Sequence, residues 1–132
     1  MAIQGTNGSN VLFGSDLEDI IFPLLGDDVV RAGGGNDSVY ARSSSAPAGV
    51  SEGNDSFYGE AGDDLLSAYG GLGNQLLDGG AGNDTLTGGT VSDTLIGGGG
   101  NDYLSNYTST DEDLLDGGTG DDSFSEERRP TR

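Results

Sequence analysis

Leu12, Ile21, Val30 and Val39 stand nine residues apart, and the same beat returns at Phe57, Leu66, Leu77, Leu86, Leu95, Leu104, Leu115 and Phe124. Each of these apolar residues sits eighth in a nonapeptide unit. The units open at Gly5, Gly14, Pro23, Ala32, Val50, Gly59, Gly70, Gly79, Gly88, Gly97, Thr108 and Gly117. Places seven to nine, such as Ser56-Phe57-Tyr58 or Thr85-Leu86-Thr87, favour a short strand whose middle side chain points one way. Glycines in places one, two and four allow positive φ and a close backbone approach, which a tight turn needs. Asn or Asp in place five tolerates the left-handed region too.

One such turn and strand buries a single large side chain and cannot stand alone, whereas stacked copies bury a continuous ladder. Two units make a revolution of eighteen residues, so alternate strands fall in opposite sheets with their eighth-place side chains meeting in a thin core. The expected fold is all-β: a right-handed parallel β-roll of two parallel sheets, its hand following the usual crossover preference. Successive coils rise by about 4.8 Å. A single domain is expected over residues 1–125, followed by a tail, 126–132, with no repeat. Three places disturb the phase: Ala68–Tyr69 and Asn106–Tyr107 are two-residue insertions, and 41–49 (ARSSSAPAG) is either a degenerate repeat or a loop of equal length.

Composition narrows the chemistry. Only 32% of the 132 residues are hydrophobic, 26 are glycine, and the formal charge is -18. Such a composition by itself suits a disordered chain, and the periodicity argues against that reading. The charge disfavours nucleic acid and anionic membrane surfaces as partners. No apolar run reaches the roughly 18 residues of a membrane span, and the start, MAIQGTNGSN, lacks the basic and apolar regions of a cleavable signal. Cysteine and histidine are absent, which leaves carboxylates and backbone carbonyls, ligands suited to a hard cation.

The sixth place supplies those carboxylates. Stacked turns would align Asp19 with Asp37, Asp37 with Asp55, and Asp84 with Asp102. Across the insertions they would align Asp64 with Asp84, Asp93 with Asp113, and Asp102 with Asp122. Carboxylate columns spaced by one coil repel unless neutralised. A divalent cation between turns would neutralise them, completed by carbonyls of the turn glycines Gly33, Gly35, Gly53, Gly62, Gly80, Gly82, Gly98, Gly100, Gly118 and Gly120. The competing structural role for each aspartate is an Asx-turn to its own backbone.

GGAGNDTLT at 79–87 and GGGGNDYLS at 97–105 match every fixed place of the pattern GGxGxDxUx, and GEAGDDLLS at 59–67 misses one glycine. The chain thus resembles the hemolysin-type (RTX) calcium-binding repeats. The resemblance covers roughly Gly5 to Ser125. It implies several bound calcium ions, disorder without them, secretion through a type I system and an extracellular or cell-surface location. Carried over, the metal carboxylates would be Asp19, Asp28, Asp37, Asp55, Asp64, Asp84, Asp93, Asp102, Asp113 and Asp122. Asn10 and Gln75 replace the aspartate, so those positions should be weak or empty. The unit opening PLLG at 23–26, and those with Val91 or Asp111 in place four, are expected to depart from the family manner. With Ala46 at the equivalent place of 41–49, Asp28 and Asp64 are each expected to lack one neighbour.

Catalysis is not expected: histidine, cysteine and lysine are missing, and the repeated carboxylates are already assigned. The main expectation is therefore a calcium-folded structural or self-assembling module, forming a homo-oligomer through the ends of the roll or an apolar outer face. Counting 41–49 as one unit puts Ile20, Phe22, Tyr40, Tyr58, Leu76, Ile96 and Leu114 outward on one sheet, and Val11, Phe13, Val29, Leu65 and Tyr103 on the other. An accessory module of a secreted enzyme or toxin is the alternative, against which a short chain opening on Met speaks mildly. Ice binding is weaker still, since only Thr85, Thr87 and Thr94 offer outward threonines.

Overall fold

A computed structural model describes residues 1–41, 53–107 and 112–126 of the chain. Thirteen short strands and no helix make up the described residues: β1 Ala2–Gln4, β2 Val11–Phe13, β3 Ile20–Phe22, β4 Val29–Gly34, β5 Ser38–Tyr40, β6 Ser56–Ala61, β7 Leu65–Ser67, β8 Leu76–Ala81, β9 Thr85–Thr87, β10 Thr94–Gly99, β11 Tyr103–Asn106, β12 Leu114–Thr119 and β13 Ser123–Glu126. Each repeat strand begins at place seven, as the apolar beat requires. Odd-numbered strands form one sheet in the order β1-β3-β5-β7-β9-β11-β13, and even-numbered strands form the other, β2 through β12. Every pairing is parallel and in register, eighth place against eighth place: Leu66 with Leu86, Leu86 with Leu104, Leu77 with Leu95. The fold is a parallel β-roll.

The two sheets face each other across one layer of side chains. Ile21, Val30, Val39, Phe57, Leu66, Leu77, Leu86, Leu95 and Leu104 are fully buried, with Leu12 and Leu115 partly covered. Burying each such side chain contributes about 1.5–3 kcal/mol before the entropy of ordering is subtracted. The even-numbered strands β4, β6, β8, β10 and β12 continue for six residues into the turn that follows, so Gly80 pairs with Glu60 and Gly98, and Gly98 with Gly118.

The register corrects the expected alignment of turns. β4 pairs directly with β6 and β5 with β7, with ladder partners 27 residues apart such as Val30 and Phe57 or Val39 and Leu66. Asp28 therefore stacks on Asp55 and Asp37 on Asp64. The expected Asp37–Asp55 pairing does not form, and neither Asp28 nor Asp64 lacks a neighbour. Nine residues preserve the apolar beat yet reverse which sheet the next strand joins, which is why the sequence alone left both options open. Most of 41–49 itself lies outside the described residues.

The outer faces regroup accordingly. Tyr58, Leu76, Ile96 and Leu114 share a sheet with Val11, Phe13 and Val29, while Ile20, Phe22 and Tyr40 share theirs with Leu65 and Tyr103. Phe22 stacks on Tyr40 at 5.7 Å between ring centroids, and the Arg31 guanidinium lies 5.0 Å above the Tyr58 ring. β1 was not anticipated. It is the strand portion of a further unit, with Ile3 in place eight against Ile21.

Candidate metal centre

The turns stack in two columns, one along each edge of the roll. Edge I carries the turns 14–19, 32–37, 59–64, 79–84, 97–102 and 117–122, each leading into an odd-numbered strand. Edge II carries 5–10, 23–28, 53–55, 70–75, 88–93 and 112–113, as far as the described residues go, each leading into an even-numbered one.

On both edges the place-six side chain is drawn inward and clamps the coil before it. Along edge I the backbone N–H groups of Asp19, Asp37, Asp64, Asp84 and Asp102 donate to Oδ1 of Asp37, Asp64, Asp84, Asp102 and Asp122, at 2.7–2.9 Å. Along edge II Asn10, Asp28, Asp55, Gln75 and Asp93 donate in the same way to Asp28, Asp55, Gln75, Asp93 and Asp113. Asp19, Asp28, Asp37, Asp55, Asp64, Asp84, Asp93 and Asp102 are all at most 3% exposed. A charged-acceptor hydrogen bond of this kind contributes about 1.5–3 kcal/mol, offset by the cost of burying the carboxylate.

A second ladder runs in the opposite direction through place five. Asn83 N–H donates to Asp63 Oδ1, Asn101 N–H to Asn83 Oδ1 and Asp121 N–H to Asn101 Oδ1, with Asn74 on Asn54 and Asn54 on Asp27 along edge II. Sequence reasoning assigned place five only a tolerance for left-handed backbone. The signal it passed over is the preference for Asn or Asp, the short side chains that can reach a neighbouring coil's N–H.

What distinguishes the turns is the other carboxylate oxygen. In one kind, residues in places two and four both have positive φ: Leu24 and Gly26, Gly33 and Gly35, Glu60 and Gly62, Gly80 and Gly82, Gly98 and Gly100, Gly118 and Gly120. In these turns Oδ2 of Asp28, Asp37, Asp64, Asp84 and Asp102 is buried with no hydrogen-bond partner. Gly53, in place four before Asp55, also has positive φ. The place-four glycine is obligatory here, because a Cβ at Gly82 or Gly100 would strike the carbonyl oxygen of Gly62 or Gly82 in the coil below. Those carbonyls are thereby turned toward the next coil. Place one is tight as well: a Cβ at Gly59, Gly79, Gly97 or Gly117 would collide with the Oδ2 of its own unit's aspartate.

In the other kind, neither place has positive φ and the turn closes on its own aspartate or amide. Ser15 N–H and Oγ–H donate to Asp19 Oδ2 at 2.7 and 2.8 Å, Gly89 N–H to Asp93 Oδ2 at 2.6 Å, and Thr6 N–H to Asn10 Oδ1 at 2.6 Å. Asp19 Oδ1 is additionally paired with the Met1 ammonium at 2.8 Å. Gln75 closes its turn differently, with Nε2–H donating to Gly53 O at 3.0 Å. The PLLG turn has the conformation of the first kind: Leu24 takes a φ of 81° and Asp28 keeps a free Oδ2. Val91 in place four accompanies a closed turn; Asp111 lies outside the described residues.

Burial governs the charge of these groups. It pushes the Asp64 and Asp84 carboxyls up to about 6, with neighbouring aspartates adding to the rise. Asp93 is also raised to about 6, and Asp28 and Asp37 are raised, again mainly by burial. Asp19 is lowered, above all by the hydrogen bond from the Met1 ammonium. A buried carboxylate oxygen with no donor calls for a proton or a cation. Among the described residues no three carboxylates converge on one point, so a cation between turns would take most of its ligands from backbone carbonyls. A large, oxygen-seeking ion such as calcium accepts that donor set.

The model for the RTX calcium-binding nonapeptide repeat (four copies) matches residues 3–30, 16–44, 50–68, 69–104 and 107–125. No curated protein matches the chain. Sequence pattern, parallel β-roll and stacked glycine–aspartate turns therefore agree, and the chain belongs to the family of RTX calcium-binding nonapeptide repeats.

Proposed function

We propose that the chain is a non-catalytic structural module whose folding is driven by calcium held between successive turns, with turn carbonyls and the place-six aspartates of the open turns as ligands. The observation that supports this most is the run of buried, unpartnered Oδ2 atoms on Asp28, Asp37, Asp64, Asp84 and Asp102. Without a cation, these charges lie in columns within a chain of net charge -18, and a one-layer core offsets little of that repulsion. With calcium, the binding free energy becomes folding free energy. Extracellular modules bind calcium at roughly 10⁻⁴–10⁻³ M, which suits a chain that folds only after export. Calcium titration into chelator-treated protein, followed by far-UV circular dichroism, should show a cooperative gain of β structure. A spectrum indifferent to chelator would overturn the reading.

Self-association is a second reading, supported by the exposure of Val11, Phe13, Leu17 and Ile20 in the first coils. Apolar surface exposed at one end of the roll favours a contact with another copy. Light scattering of the calcium-loaded protein should then give a mass above 13.3 kDa that rises with concentration, and a monomer at tens of micromolar would reject it.

A further inference from the structure

The nonapeptide suggests two equivalent edges, and the hydrogen bonding makes them unequal. Edge I has five consecutive turns of the open kind, from Gly33/Gly35 to Gly118/Gly120. Edge II is closed at 5–10, 70–75 and 88–93 by the chain's own donors. We propose that calcium loads edge I, that the edge II turns at 70–75 and 88–93 are fastened without metal, and that the Gln75 amide occupies the place an ion would take at the first of them. This rests on the calcium reading above and goes beyond it by assigning which turns bind.

Three observations carry the assignment. At Asp93 both oxygens already have donors, Gln75 N–H on Oδ1 at 2.8 Å and Gly89 N–H on Oδ2 at 2.6 Å, so neither is left bare for a cation to satisfy. At Asp37, Asp64, Asp84 and Asp102 only Oδ1 is engaged, and Oδ2 is buried without a partner. Gln75 is one methylene longer than aspartate. Its Oε1 therefore keeps the clamp on Asp55 N–H at 2.8 Å while its Nε2 reaches Gly53 O at 3.0 Å. Gly53 O faces the next coil as Gly62 O and Gly82 O do on edge I, and a Cβ at Gly73 would strike it. An N–H on that carbonyl supplies the positive end of a dipole where the open turns lack any donor. It also blocks a cation from the same oxygen.

The turn at 70–75 reads GGLGNQ, one residue away from the fixed places of the repeat, so a single substitution tests the idea. Calcium stoichiometry and midpoint are measured by titration calorimetry on the full chain and three variants. Gln75→Asp should take up about one more ion, because the substituted turn faces the Gly53–Asp55 turn with the amide removed. Asp93→Asn should leave the stoichiometry unchanged and the midpoint within about twofold, whereas Asp84→Asn should lose an ion and raise the midpoint about tenfold or more.

If Asp84→Asn does not fold, trace terbium exchanged into the calcium-loaded wild-type chain replaces it. Amide signals of Gly62, Gly80, Gly82 and Gly98 should broaden while those of Gly71, Gly73 and Gly89 persist. Equal effects at Asp84 and Asp93, or broadening on both edges, overturn the split and leave calcium binding standing. A wild-type chain that takes up no calcium rejects both.

Discussion

Edges I and II are written in the same nonapeptide and solve the same problem in opposite ways. Each buries a column of place-six side chains, one per coil. On edge I, beyond its first turn, the residues in places two and four take positive φ, their peptide groups face the neighbouring coils, and Asp37, Asp64, Asp84 and Asp102 are each left with a bare oxygen. On edge II three of the turns keep ordinary φ in places two and four, and the chain satisfies the side chain itself. Two residues decide which occurs. Every fully described turn with Gly in place four and Asp in place six is open. Every one lacking either, through Leu17, Val91, Asn10 or Gln75, is closed. Place two is permissive, since Leu24 and Glu60 adopt the conformation that glycine takes elsewhere.

The largest test of that contrast is one methyl group at place four. Gly100 has a φ of 135°, and a Cβ there would run into Gly82 O. Strain and collision together make Gly100→Ala cost about 3 kcal/mol or more. Gly8 occupies the same place on a closed turn, with nothing within 4 Å of its would-be Cβ. Gly8→Ala should stay within about 0.5 kcal/mol. Thermal unfolding in saturating calcium compares the two directly, and equal losses would show that the closed turn at Gly8 demands glycine as strictly as the open turn at Gly100.

Protons give the next effect, because a proton can stand in for a cation on a bare oxygen. Asp64 and Asp84 on edge I have carboxyl pKa values pushed up to about 6 by burial, against an ordinary value of 3.8. A raised carboxyl binds its proton first in the folded state, so it disfavours folding at neutral pH. That penalty shrinks as pH falls from about 6 toward the unfolded value and changes little below it. In chelator, residual β structure should therefore increase between pH 7 and pH 5. In calcium the trend should reverse, as protons displace the ion. Asp93 on edge II is also raised to about 6; Asp19 is lowered, and its contribution is lost only below the ordinary carboxylate range. Circular dichroism along a pH series, with and without calcium, reads both trends, and a chelated chain that loses structure on acidification would contradict them.

A smaller effect belongs to the closed turn itself. Ser15 Oγ–H supplements the backbone donor on Asp19 Oδ2, so Ser15→Ala removes one of two bonds and should cost about 1 kcal/mol. The loss should be the same at limiting and saturating calcium. A loss that depends on calcium would place an ion on a turn described as closed.

The sequence carried the strands, the core and the carboxylate columns because each depends on one residue type at a fixed place. Leu86 is buried and Asp84 clamps the coil before it for reasons contained within nine residues. Three features depend on relations between units, and these were less legible. The 27-residue stacking of Asp28 on Asp55 follows from which sheet a strand joins, and nine extra residues conceal that choice. β1 offered only three residues of a unit, too few to register as a repeat. The difference between the edges needs place four and place six read together, since Gly8 and Gly73 conform alone and Asp19 and Asp93 conform alone.

The permissive second place yields the smallest prediction and sharpens what the open turn requires. Glu60 holds a φ of 75°, in a region costly for a side chain that glycine occupies freely. Its carboxylate also pairs with Arg31 at 3.1 Å, with both side chains well exposed, so that contact contributes little. Glu60→Gly relieves the backbone strain, offset by the loss of the exposed pair and the greater entropy of glycine in the unfolded chain. The balance is a gain of about 0.5 kcal/mol in saturating calcium, readable as a small rise in the thermal midpoint. Calcium stoichiometry should not change, because place two sets the shape of the turn while places four and six decide whether Asp64 keeps its free oxygen. A change in stoichiometry would mean that the Glu60 carboxylate belongs to the ion's surroundings and that place two is not permissive after all.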